Sequence, residues 1–152
     1  MITIRKCDLL DCDAEYVCHQ VNCRGAMGAG LAKAIANKWP FVKLSYESFC
    51  DTYKHNPKSL LGAYQIVNVS PNKNVINIFG QLDYGREFGR CYTSYDALMQ
   101  AFKNMEEWID VSSTIAFPYR FGCGLAGGDW EVVFALLKRY LNKHNVVICK
   151  KD

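Results

Sequence analysis

Two glycine-rich stretches carry the strongest chemical signal in this chain. Gly25-Ala26-Met27-Gly28-Ala29-Gly30 follows a strand-like run ending in Val21-Asn22 and opens into Leu31-Ala32-Lys33-Ala34-Ile35. Gly122-Cys123-Gly124-Leu125-Ala126-Gly127-Gly128-Asp129 follows Thr114-Ile115-Ala116-Phe117-Pro118 and also precedes a helical pattern. Glycine permits positive φ and removes side chains that keep a ligand off the backbone. N–H groups converging at a helix start attract anions. The first stretch reads neither GxxxxGK[ST] nor GxGxxG, and neither stretch contains a lysine to grip a triphosphate. Two such cradles suit a diphosphate held between a nucleoside and a sugar. Taken singly, each loop also reads as tight strand-to-helix packing.

Other residues nearby could do acid–base or nucleophilic work. Asp83, Glu87 and Asp129 are the candidate acids or bases, although Asp129 equally suits the N-cap of the last helix. Cys123 could act as a nucleophile only with a depressed pKa and a neighbouring base, and its small size is reason enough for its place in the loop. Tyr84, Arg86 and Tyr92 fit either a cleft wall or packing behind it. His19, His55 and His144 lie in separate segments without HxH or HxxxH spacing, so no metal site is expected. His19, on an alternating strand, reads as packed; the other two histidines read as exposed.

The elements that must position these groups follow from periodicity. Ile2-Thr3-Ile4-Arg5-Lys6 and Tyr16–Val21 alternate as strands, the second delivering Asn22 to its carboxyl end. Leu31, Ile35 and Trp39 share one helix face. Pro40 ends that helix or begins another, on which Val42, Tyr46, Phe49 and Tyr53 recur at helical spacing. Ala63–Val69 and Val75–Phe79 flank Ser70-Pro71-Asn72-Lys73-Asn74, the composition of a hairpin turn. A helix beginning near Thr93 or Ser94, with Thr93 and Asp96 in a capping arrangement, buries Leu98, Phe102, Met105 and Ile109. Val133, Leu136, Leu137, Tyr140 and Leu141 mark the last helix, and Val146-Val147-Ile148 the last strand. Strands alternating with helices, plus one hairpin, predict a mixed, layered α/β fold in a single domain over residues 1–152.

Composition excludes several classes. The net charge of +3 is small and its cations are scattered, so no stable nucleic-acid partner is implied. No apolar run approaches a membrane span. The eight cysteines include no CxxC pair and follow no signal-like leader, which favours free thiols in a reducing cytoplasm. A monomer is expected.

Cys7-Asp8-Leu9-Leu10, the run Val21 to Ala32, and Pro118 through Asp129 together resemble the macrodomain family over essentially the whole chain. The nearest branch contains the terminal ADP-ribose protein glycohydrolase and the antitoxin that removes ADP-ribose from DNA. The resemblance implies a three-layer α/β/α fold with a six-stranded mixed sheet, and an ADP-ribose ligand or ADP-ribosylated substrate with no further cofactor. It places Asp8, with Leu9 beside it, at the adenine and Asn22 near the distal ribose. Gly28, Ala29 and Gly30 would border ribose and phosphates, and Cys123, Gly124, Leu125 and Ala126 would wrap the diphosphate. The branch's hydrolases carry a lysine after the middle strands, and the protein glycohydrolase an aspartate after Gly-Cys-Gly-Leu. This chain has Gly80-Gln81-Leu82-Asp83 and Ala126 there, with no lysine between Asn74 and Arg90. A lysine-bound intermediate is therefore not expected. Asn22, Asp83 and Asp129 are the candidate catalytic residues. The expected activity is hydrolysis of a distal-ribose substituent (1''-phosphate, O-acetyl ester or macromolecule), the alternative a non-catalytic reader of ADP-ribose.

Overall fold

Alternating side chains place a strand's neighbours on opposite faces, and β4 (Lys73–Gln81) shows what that does here. Val75 and Phe79 point into one apolar cluster, Ile76 and Ile78 into another on the far side. A strand buried on both faces belongs in the middle of a layered sheet. The computed structural model, which describes residues 1–151, has that architecture. Six strands run β1 (Ile2–Lys6), β2 (Tyr16–Asn22), β3 (Tyr64–Ser70), β4, β5 (Thr114–Pro118) and β6 (Asn145–Lys150). Their order across the sheet is β1-β6-β5-β2-β4-β3. All neighbours are parallel except β3 and β4.

Helices cover both faces. α1 (Gly30–Lys38) and α2 (Pro40–Thr52) pack Ile35, Val42 and Tyr46 against Val21, Val67 and Phe79. α3 (Tyr95–Trp108) and α4 (Trp130–Leu141) pack Leu98, Phe102, Val133 and Leu137 against Ile76, Ile115 and Phe117. The three-layer α/β/α expectation and its six-stranded mixed sheet are thus borne out. Pro40 begins α2 at its first turn, where its missing N–H costs no hydrogen bond.

Two local expectations differ from what forms. Ser94, not Thr93, caps α3, its hydroxyl accepting from Ala97 N–H at 3.2 Å. Thr93 is instead turned inward and donates to the Gly122 carbonyl at 2.6 Å, tying the start of α3 to the second glycine loop. His144 is fully buried rather than exposed, with Nε2 2.8 Å from the Ile109 carbonyl. It joins the chain entering β6 to the end of α3, which no local periodicity announces.

Candidate functional site

Because five strands run parallel, their carboxyl ends open on one edge of the sheet, the usual place for a ligand in such folds. A cleft of about 1110 Å³ crosses that edge. Strand order fixes the sequence of segments along it: Asp8 after β1, Lys150 and Lys151 at the end of β6, the second glycine loop after β5, the first after β2, and Tyr84-Gly85-Arg86 after β4.

At the β1 end, the Asp8 carboxylate accepts from Leu10 N–H at 3.0 Å and pairs with Lys151 Nζ at 3.2 Å. The Leu10 N–H, with help from Lys151, holds this carboxyl below its ordinary value, so it is an anionic acceptor at neutral pH. Leu9, buried in a 3₁₀ turn, lines the cleft beside it.

The first loop is folded around Asn22. Its Oδ1 lies 2.9 Å from Arg24 N–H, 3.3 Å from Ala26 N–H and 2.9 Å from the Tyr46 hydroxyl. Its Nδ2 donates to the Ala26 carbonyl at 2.8 Å, which leaves one of its two N–H groups uncommitted. Asn22 therefore shapes the loop as well as lining the cleft. Gly28, Ala29 and Gly30 follow along the cleft wall.

The second loop is braced from within. Gly128 N–H donates to Gly122 at 2.9 Å, Gly127 N–H to Gly124 at 3.0 Å, and Tyr92 N–H to Ala126 at 2.7 Å. Gly124, Leu125 and Ala126 line the cleft, but Cys123 does not. Its thiol is buried against the Phe121 carbonyl at 3.2 Å, and burial pushes its pKa up, so it is no nucleophile.

The two candidate carboxylates also stand outside the cleft lining. Asp83 accepts from Arg24 Nε at 2.8 Å and from Arg90 Nη2 at 3.4 Å. Asp129 caps α4, accepting from Glu131 N–H at 2.9 Å. Asp129→Ala is accordingly expected to lower stability by about 1 kcal/mol, read as a fall in melting temperature. An unchanged melting temperature would show that the cap contributes nothing.

Three polar residues hold the cleft floor together, of which the sequence marks only Thr93, and that as a helix cap. Gln20 Nε2 donates to Gln81 Oε1 at 2.8 Å and to Thr93 Oγ1 at 2.9 Å. Gln20 Oε1 is buried without a partner. Alternation along β2 could have flagged it, since Gln20 shares its face with buried Cys18. Tyr84 and Arg86 line the cleft, whereas Tyr92 is buried behind their loop.

The open α/β sheet carries both glycine loops at its carboxyl edge, where folds of this class place their ligand sites. The particular kind is set by likeness over the whole chain: this is the macrodomain fold. No family model matches the chain. The macrodomain of Mycobacterium tuberculosis DarG is 25% identical, with TM-score 0.76, covering 100% of this chain and 98% of that one. The ADP-ribose 1''-phosphate phosphatase of Debaryomyces hansenii is 26% identical, covering 83% of each protein. The Mycobacterium tuberculosis DNA ADP-ribosyl glycohydrolase is 28% identical over 88% of this chain and 36% of its own length. The macrodomain resemblance read from the sequence is borne out.

Proposed function

We propose that this chain binds ADP-ribose and hydrolyses a substituent from its distal ribose. The observation that carries the reading is the order of groups along the cleft. A single carboxylate at one end suits an adenine amino donor, and two backbone cradles in the middle suit a diphosphate. Relatives named as a phosphatase of ADP-ribose 1''-phosphate and as a DNA ADP-ribosyl glycohydrolase support it.

In this reading Asp8 accepts from the adenine amino group, with Leu9 against the ring. Backbone N–H groups of Gly28–Gly30 and Gly124–Ala126 face the diphosphate from two sides. The free N–H of Asn22 is aimed at the distal ribose or an attacking water. Water adds, the substituent leaves, and a proton passes from water to the leaving oxygen. Asp83 and Asp129 are spent on arginines and a helix cap, so the substrate's own phosphate oxygens are the nearest proton acceptors for that water. No lysine lines the β4 end among the described residues, and turnover is expected to leave no borohydride-trapped adduct.

The same committed carboxylates favour a second reading, in which the domain recognises ADP-ribose without chemistry. Calorimetry and product analysis separate the two. ADP-ribose is expected to bind at micromolar Kd or tighter and AMP at least tenfold more weakly, because AMP leaves one cradle unused. Equal affinity for both would overturn the bridged diphosphate. Tight ADP-ribose binding with every distal-ribose derivative left intact at high protein concentration would establish the reader.

A further inference from the structure

We propose that Arg86 reads an anionic group on the distal ribose, so that the cleft selects a phosphate monoester there over a bare hydroxyl or a neutral ester. This rests on the ADP-ribose reading above and adds to it the residue that discriminates among substrates. Its first support is position. Strand order puts Asp8 at one end of the carboxyl edge and the segment after β4 at the other, with both glycine loops between. A ligand with its adenine at Asp8 and its diphosphate over the loops presents its distal ribose to Tyr84-Gly85-Arg86.

The second support is charge. Four cations line the cleft, Arg86, Arg120, Lys150 and Lys151, against one carboxylate, Asp8, and that carboxylate is at the far end. Around Arg86 the other arginines are already engaged. Arg24 is paired with Asp83 at 2.8 Å, and Arg90 with Asp83 and Glu87 at 3.4 Å each. Among the described residues no hydrogen bond or ion pair engages the Arg86 guanidinium. It is the arginine of this loop left for a ligand.

The third support is the loop's construction on both sides of Arg86. Gly85 approaches Tyr92 so closely that a Cβ there would collide with the Tyr92 hydroxyl. Glu87 N–H donates to that same hydroxyl at 3.3 Å, and Arg90 stacks on the Tyr92 ring at 4.4 Å. The backbone flanking Arg86 is thus fixed to a buried aromatic, while its own side chain is exposed at the cleft. A guanidinium presents paired N–H donors that match the terminal oxygens of a phosphate monoester. An acetyl ester or a free hydroxyl offers it no charge.

The test is competitive displacement of a fluorescent ADP-ribose derivative, read by stopped flow before turnover. The competitors are ADP-ribose and ADP-ribose 1''-phosphate. The wild-type protein is expected to favour the phosphate ester at least tenfold. Arg86→Ala should remove that preference with ADP-ribose affinity changed less than twofold, and Arg86→Lys should retain part of it. A preference that survives in Arg86→Ala overturns the inference, as does its absence in the wild type. An equal loss for both ligands would also overturn it, by moving Arg86 to the shared diphosphate. Failure of ADP-ribose itself to displace the probe from the wild type would instead refute the underlying ligand assignment.

Discussion

Gly124→Val is expected to weaken ADP-ribose at least tenfold, a loss of about 1.4 kcal/mol or more, with an unchanged melting temperature. The reason lies in what surrounds each glycine of the second loop. A Cβ built on Gly124 meets nothing within 4 Å, and its φ is not in the left-handed region. The protein itself therefore has room for a side chain, and the space it would fill belongs to the cleft. A branched valine there stands between the loop's N–H groups and any phosphate. Gly128 supplies the contrast, since its Cβ would fall 2.6 Å from the Gly122 carbonyl oxygen. Gly128→Ala should lose stability and binding together. Native-like binding by Gly124→Val, measured by calorimetry, would remove this loop from the ligand site.

How far the sequence could go is visible in these same residues. The glycine loops, the helix stripes and the hairpin were readable because each is a local pattern: a spacing, a period or a turn composition. Asp129 was readable as a cap for the same reason. Asp83 was not readable as an arginine-bound anchor, because Arg24 lies 59 residues away and reaches it only through the pairing of β2 with β4. Asn22 is legible at the end of β2, yet the Tyr46 hydroxyl that reaches its main-chain and amide oxygens arrives from α2. Thr93 reads locally as a helix cap, and nothing local marks Gln20 as its partner or Gln81 as the partner of Gln20. Their hydrogen bonds link three segments distant in sequence, and nothing about a lone threonine or glutamine announces that.

The largest effect on stability is expected from His19, between pH 6.5 and 4. His19 is buried on β2 facing Asn77 on β4, with Nε2 2.5 Å from Asn77 Oδ1 and Nδ1 without a partner. Burial disfavours the charged ring and lowers its pKa from 6.5 to about 4, the bond to Asn77 opposing this only in part. Above pH 6.5 the ring is neutral in both folded and unfolded chains and contributes no pH dependence. Below 6.5 the unfolded chain takes up a proton that the folded one refuses, so stability falls as pH falls. The slope is about 1.4 kcal/mol per pH unit and ends near pH 4, where the native ring also protonates, for a total of about 3 kcal/mol. Asp8, held below its ordinary carboxyl value, loses its contribution only at still lower pH. Urea unfolding at pH 7 and pH 4.5 should show the loss in the wild type and a much smaller one in His19→Gln, whatever the variant's absolute stability. The same loss in both proteins would mean that His19 does not carry it. This neutrality at pH 7 also bears on the chemistry: His19 is among the residues lining the cleft, and its imidazole holds β2 to β4 rather than serving as a charged acid at physiological pH.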